Sequence, residues 1–175
     1  EAPALGDWIA ADVAGHRLLV VRGRAGGLRA FHNVCRHRAG PLVEGERGRC
    51  GGELVCRYHG WRYALDGRLR SAVGFGATDG FDARDFPLLS LRLQTWRGLI
   101  FVALSEEAGT LSDLVAPIET LLVERGLDLP QPALRRSHTL ACDWKVYVEN
   151  YLEGYHIGAV HPALAKELGG ADYRV

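Results

Sequence analysis

Two short boxes and one longer segment hold the residues able to do chemistry. Cys35-Arg36-His37 is followed, after 18 residues, by Cys56-Arg57-Tyr58-His59. Thiolates are soft, charge-donating ligands and imidazoles are neutral, weaker ones. The mixed set can hold one tetrahedral zinc, or a [2Fe–2S] pair with two Cys on one iron and two His on the other. Farther along, DWKVYVENYLEGYHIGAVHPAL (143–164) supplies Asn150, Glu153, His156 and His161. On an unbroken helix Asn150, Glu153 and His156 fall at i, i+3 and i+6 and share one face. His161, five residues beyond His156, would turn away unless Gly158 allows a bend. Two His plus a carboxylate is the ligand set of non-haem Fe(II) sites, which leave positions open for O2 and substrate. Alone, the spacing E-x2-H-x4-H is a weak signal, because histidines near a helix end are commonly structural.

The elements that must position these residues divide the chain in two. Residues 1–105 read as β-rich. His16 to Arg22 is a buried-strand run, and Gly26-Gly27 turns it into Leu28 to Asn33. Leu54 to Cys56 is a short apolar piece. Trp61, Tyr63 and Leu65 alternate as a half-buried strand, and Asp66-Gly67 is a strong hairpin signal. Leu89, Leu91 and Leu93 alternate again, and Leu99 to Leu104 reads as a continuous buried strand. Both Cys-His boxes therefore fall on loop tips between strands of an antiparallel β domain. Beyond it, Leu114 to Arg125 has helical spacing, and Pro130 and Pro132 mark a linker. Arg135 to Ala141 is a candidate strand. Asp143 is a plausible N-cap for a helix from Trp144 to about His156, with Gly158 and Pro162 interrupting any continuation.

Composition narrows the function classes. The chain has 175 residues, 47% hydrophobic and 24% charged, which suits a soluble globular protein. Its 21 basic and 21 acidic residues cancel, so no global field draws it to nucleic acid or an anionic membrane. The apolar runs are too short to span a bilayer, and no charged-then-apolar leader precedes them. A cytoplasmic location is the expectation. Four cysteines are too few for a disulfide scaffold. A chain that begins at Glu1 and contains no Met reads as a processed, trimmed or partial product.

CRHRAG and CRYHGW resemble the Rieske boxes of oxygenase systems, which favours the [2Fe–2S] reading over zinc. Respiratory Rieske proteins carry an extra Cys in each box, forming a disulfide beside the cluster. Gly40 and Tyr58 occupy those places here, so the centre resembles the lower-potential kind of oxygenases and Rieske ferredoxins. Cys50 and Cys142 then read as small, buried, reduced residues. Trp61 reads first as core packing, with shielding of the cluster as the rival role. Arg36, Arg38 and Arg57 are either solvated charges or a docking site for an acidic electron donor.

The pattern N-x2-(D/E)-x2-H-x4-H is the catalytic box of the ring-hydroxylating Rieske non-haem iron oxygenase α subunit, and Asn150, Glu153, His156 and His161 match it. The resemblance covers essentially the whole chain and about the first half of the family protein. It implies a mainly β Rieske domain of the antiparallel [2Fe–2S] type over 1–105 and a helical linker over 106–136. The start of an α+β helix-grip catalytic domain would follow over 137–175. It implies that Cys35 and Cys56 hold one iron of the cluster and His37 and His59 the outer one. It further implies that His156 and His161 bind a mononuclear Fe(II). Glu153 would be the carboxylate that joins an iron-ligand His to a Rieske His of the neighbouring protomer, with Asn150 and Tyr155 supporting it. The implied partners are a reductase or ferredoxin as electron donor, O2, a small organic substrate, and two further copies in a homotrimer. NYLEGYH, with Glu in place of the commoner Asp, looks closer to relatives acting on quaternary ammonium compounds than to aromatic dioxygenases. The family's third iron ligand lies far downstream, and neither Glu167 nor Asp172 matches it. A fragment of this length is expected to hold the cluster without assembling a working mononuclear site. The rival readings are a Rieske ferredoxin with an extension and a structural zinc module.

Overall fold

The computed structural model describes residues 2–76, 78–128 and 136–168. Two compact units divide the chain, residues 1–129 and 130–175.

Among the described residues, the first unit is built on nine strands. β1 (Asp7–Val13), β2 (His16–Arg22), β3 (Leu28–His32) and β4 (Arg47–Arg49) precede β5 (Glu53–Val55), β6 (Arg62–Ala64), β7 (Leu69–Ser71), β8 (Ser90–Trp96) and β9 (Leu99–Ala103). They form an antiparallel six-stranded sheet in the order β4-β1-β2-β3-β8-β9 and a separate three-stranded sheet in the order β5-β6-β7. The hydrophobic core lies between them. Leu19 and Val21 of β2 and Phe31 of β3 meet Leu54, Trp61, Tyr63 and Leu65. The inward side of each strand is apolar because successive side chains alternate faces. The Asp66-Gly67 turn joins β6 to β7 as expected. Gly67 sits at φ +91°, and a Cβ there would fall 2.6 Å from the Phe31 ring. Both the turn and the close approach therefore require glycine.

β1, β4 and β7 lack the alternation that marks a strand in the sequence, and pairing rather than pattern makes them. Leu99 to Ala103 does form β9, but it is not fully buried, with Leu99 49% exposed and Leu104 just beyond it 41% exposed. The reason is topological, because β9 is an edge strand.

Helix α1 (Leu111–Glu124) packs on the β8–β9 hairpin through Leu111 and Val115. Thr110 caps it by accepting from the Asp113 N–H. A polar staple fastens its middle. Arg97 donates to both carboxylate oxygens of Glu119 at 2.9 and 2.8 Å, and Trp96 Nε1 donates to the same group at 2.7 Å. The Arg97 bonds first, then that of Trp96, hold the Glu119 carboxyl down to about 2. A depressed carboxylate stabilises the fold above its ordinary value near 4.5 and loses that contribution as pH falls through its folded value. We expect the Glu119 contacts with Trp96 and Arg97 to loosen between about pH 4.5 and pH 2, read as movement of the Trp96 indole N–H resonance. Glu119→Gln should remove the transition from that window, and an unchanged profile would refute the assignment.

The second unit contains α2 (Trp144–Leu152), α3 (Ile157–Val160) and α4 (Pro162–Glu167). Asp143 caps α2 by accepting from the Lys145 N–H at 2.9 Å. Four expectations are corrected here. The helix ends at Leu152 rather than near His156, and Glu153 is extended at φ −108°, ψ 137°. Gly158 lies inside α3 and makes no bend, whereas the helix does break before Pro162, which opens α4, where its missing N–H costs nothing. Residues 136–141 form no strand, and Arg135, Pro130 and Pro132 lie outside the described residues. Cys142 is exposed in the bend before α2, not buried.

Among the described residues, no helix is long and apolar enough to cross a membrane.

Candidate metal centre

The two boxes fold as the same loop twice. In the first, the Cys35 N–H donates to the Gly40 carbonyl at 2.8 Å and the Ala39 N–H to the Cys35 carbonyl at 3.0 Å. In the second, the Cys56 N–H donates to the Trp61 carbonyl and the Gly60 N–H to the Cys56 carbonyl, both at 2.9 Å. The tight return needs a left-handed residue four places after each Cys, and Ala39 (φ 55°) and Gly60 (φ 73°) supply it. The histidines sit at different offsets, two and three residues after their cysteines. The common loop still brings their rings to 4.5 Å, edge to face.

The result is a two-ended set of donors. Cys35 and Cys56 are each 2% exposed and belong to the same buried cluster. His37 is half-buried and His59 exposed. A single tetrahedral ion needs its donors around one point. Among the described residues, no three His, Cys, Asp or Glu side chains form such a cage. A group with a sulfur-rich inner end and a nitrogen-ligated outer end fits better. Two further observations support the fit. His37 Nδ1 is buried without a hydrogen-bond partner, which is costly for a nitrogen unless it is a ligand. Burial pushes the Cys56 thiol up, so it would act as a thiolate ligand only with a cation beside it.

Four aromatic residues shape the surroundings. Trp61 is 1% exposed and stacks on His37 at 4.9 Å and 7°. It packs the core and covers the candidate centre at once, with Phe75 edge-on to both rings. Tyr58 leans on His59 at 3.9 Å and is 62% exposed. Tyr63 is the residue that sequence patterning undervalued. Its hydroxyl lies 3.3 Å from Cys35 Sγ and accepts the Arg36 N–H at 3.1 Å. Burial, then Cys35, pushes its phenol well above the usual range. The available signal was that a buried Tyr hydroxyl requires a partner.

Arg57 reaches Glu44 at 3.6 Å with both side chains exposed, a contact of little energy. Arg38 is exposed as well, while the Arg36 Nε is buried without a partner. Cys50 is half-buried, and its thiol donates to the Gly6 carbonyl at 3.3 Å, away from the boxes.

Gly40 and Tyr58 face one another. A Cβ built on Gly40 is 3.5 Å from Tyr58 Cβ, within the span of natural disulfides. Gly40→Cys with Tyr58→Cys should close a bond on oxidation. Thiol titration of the denatured protein before and after reduction would count it, and two additional free thiols in the oxidised sample would refute the pairing.

In the second unit, the carboxylate of Glu153 takes His156 Nδ1 as its partner. Its other oxygen accepts the Tyr155 N–H at 2.8 Å and the His156 N–H at 3.3 Å. Those bonds, the His156 side chain first, hold the Glu153 carboxyl below its usual value. A proton fixed on Nδ1 leaves Nε2 as the lone-pair nitrogen. His161 brings its ring to 5.4 Å from that of His156, edge to face. Asn150 is exposed on the last turn of α2. The Tyr155 side chain is 98% exposed, so Tyr155 supports Glu153 through its backbone alone.

Both parts of the chain are similar to known proteins. Residues 3–81 match the model of the Rieske [2Fe-2S] domain, and residues 127–173 match the ring hydroxylating alpha subunit catalytic domain. The chain carries a Rieske [2Fe–2S] domain followed by a segment of a ring hydroxylating α-subunit catalytic domain. The glycine betaine monooxygenase oxygenase subunit of Pseudomonas aeruginosa is 36% identical over 168 residues, covering 96% of this chain and 39% of that protein. The carnitine monooxygenase oxygenase subunit of Escherichia coli is 32% identical, covering 91% of this chain and 43% of that protein. The solved structure of a quaternary ammonium Rieske monooxygenase with L-carnitine superposes with a TM-score of 0.80 at 32% identity, over 95% of this chain and 47% of that one. Naphthalene 1,2-dioxygenase with bound indole gives 0.76 at 28% identity, over 99% of this chain and 39% of that one. The chain thus spans about two fifths of the length of the curated relatives it matches. The Rieske domain carries a [2Fe–2S] cluster, and α subunits of this family carry a mononuclear iron besides.

Proposed function

We propose that this chain is the N-terminal portion of a Rieske oxygenase component that hydroxylates or demethylates a small quaternary ammonium compound. The two-ended set of thiols and imidazoles carries the reading, and the chemistry named for the similar proteins directs it to that substrate class. Residues 1–105 form the cluster domain, 106–136 the helical linker, and 137–175 the opening of the catalytic domain. Cys35 and Cys56 hold the inner iron and His37 and His59 the outer one, while His156 and His161 hold the mononuclear iron. When bound, the cluster relays single electrons and the mononuclear iron activates O2. A reductase or ferredoxin supplies those electrons, and the assembled protein is a homotrimer in the cytoplasm.

The chain's own residues prepare this chemistry. Tyr63 holds its hydroxyl on Cys35 Sγ, where negative charge grows on reduction. Trp61 and Phe75 exclude water from one side of His37, while His59 stays open to the surface. Glu153 keeps the His156 proton on Nδ1 and frees Nε2 for the metal, the usual office of a carboxylate behind a ligand His.

The purified protein should be coloured, contain about two irons per chain, and give a Rieske-type electron paramagnetic resonance signal when reduced. The longer polypeptide, with its reductase, should then consume O2 on addition of glycine betaine or carnitine. A colourless protein holding one zinc would overturn the cluster assignment. Turnover of aromatic substrates alone would overturn the substrate class.

A further inference from the structure

Asn33 follows β3, two residues before Cys35, and is 6% exposed. Its whole side chain is committed to the far end of the first box. Oδ1 accepts the Leu42 N–H at 2.9 Å and the Val43 N–H at 3.1 Å, and Nδ2 donates to the Val43 carbonyl at 2.9 Å. The backbone N–H of Asn33 donates to the Arg17 carbonyl at 2.8 Å, which ties the clamp to β2. Residues 35–41 thus form a loop whose base is pinned to the large sheet. From the small sheet, Tyr63 grips the same loop at Cys35 Sγ and the Arg36 N–H. The loop is under strain, because Ala39 holds φ 55° with a Cβ. Such a conformation is unfavourable for a residue that carries a Cβ, and it persists only where the surroundings over-determine it.

We propose that Asn33 is a positioning residue for the cluster. By fixing the turn at Leu42-Val43, it sets where Cys35 Sγ meets the Tyr63 hydroxyl, and so sets the cluster's reduction equilibrium. This rests on the assignment of Cys35 and Cys56 as cluster ligands. An Asn that merely stabilised the fold would leave that equilibrium unchanged.

The test compares Asn33→Ala, Asn33→Ser, Tyr63→Phe and the double variant Asn33→Ala/Tyr63→Phe in cluster-loaded protein. Readouts are the midpoint potential, the resonance signal of the reduced cluster, and hydrogen exchange at the Leu42 and Val43 amides. Asn33→Ala should disfavour reduction on the order of threefold, in the same direction as Tyr63→Phe. It should also expose both amides to exchange. The double variant should shift no further than Tyr63→Phe alone, because both changes act on one contact. Asn33→Ser, which keeps an acceptor, should fall between Asn33→Ala and the parent. An unchanged potential and signal in Asn33→Ala, or additive shifts in the double variant, would overturn the proposal. If Asn33→Ala does not retain the cluster, Asn33→Ser in the Tyr63→Phe background decides, and a shift that persists there is equally fatal. A parent protein without any Rieske signal defeats the ligand assignment instead, a different and recognisable failure.

Discussion

Replacing His156 with alanine in the longer polypeptide will abolish substrate-dependent O2 consumption and leave the cluster's spectrum intact. The two regions proposed to bind metal lie in different compact units, and His156 belongs to the second. The variant removes the nitrogen that Glu153 orients and with it one of two imidazoles 5.4 Å apart. Iron should fall from about three per chain to about two, because the cluster's pair remains. Colour, signal and reduction by dithionite should be those of the parent. Loss of the visible spectrum in this variant would mean that the two sites have been misassigned. The result discriminates well because a folding defect would depress both readouts, whereas the geometry demands that only one move.

Tyr63→Phe should lower the midpoint potential of the cluster while preserving its iron and fold. The Tyr63 hydroxyl lies 3.3 Å from Cys35 Sγ in a buried setting. Reduction adds negative charge to the cluster, and a donor on a ligand sulfur favours the more negative state. A hydrogen bond to a charged group contributes about 1.5–3 kcal/mol, and only part of that differs between the two redox states. A difference of about 1–2 kcal/mol corresponds to about 40–80 mV for one electron. The shift is towards lower potential, measurable by spectroelectrochemistry. The ring itself remains to fill the core, so chemical denaturation should show a modest loss, on the order of 1 kcal/mol. An unchanged potential would show that the hydroxyl serves Arg36 alone.

The Rieske domain was readable from the sequence because donor chemistry is written in residue types: two Cys and two His at loop-compatible spacing admit few uses. The strands carrying them were readable where one face packs on the core, as in β2 and β3. Reading failed where tertiary context decides. Nothing local distinguishes Trp61 as core from Trp61 as the cover of His37, because the stack needs both loops folded. Leu99 to Leu104 has the composition of an interior strand, and its exposure follows from a place at the sheet edge. Helical periodicity carried α2 past its true end. There the Glu153 side chain takes the amides of Tyr155 and His156, an alternative to helical hydrogen bonding that acidic side chains offer. The same event placed Glu153 beside His156 by a local turn rather than by a shared helical face.

That turn joins two roles in one side chain. One oxygen of Glu153 faces the imidazole and the other shapes the backbone on which that imidazole is mounted. A truncation at this position erases scaffold and proton acceptor together, so its phenotype is inherently confounded. Asp, one methylene shorter, would have to reach both tasks from a different backbone. The choice of acid here is therefore coupled to loop shape, and exchanging Glu for Asp between relatives should succeed only when residues 153–156 are exchanged with it.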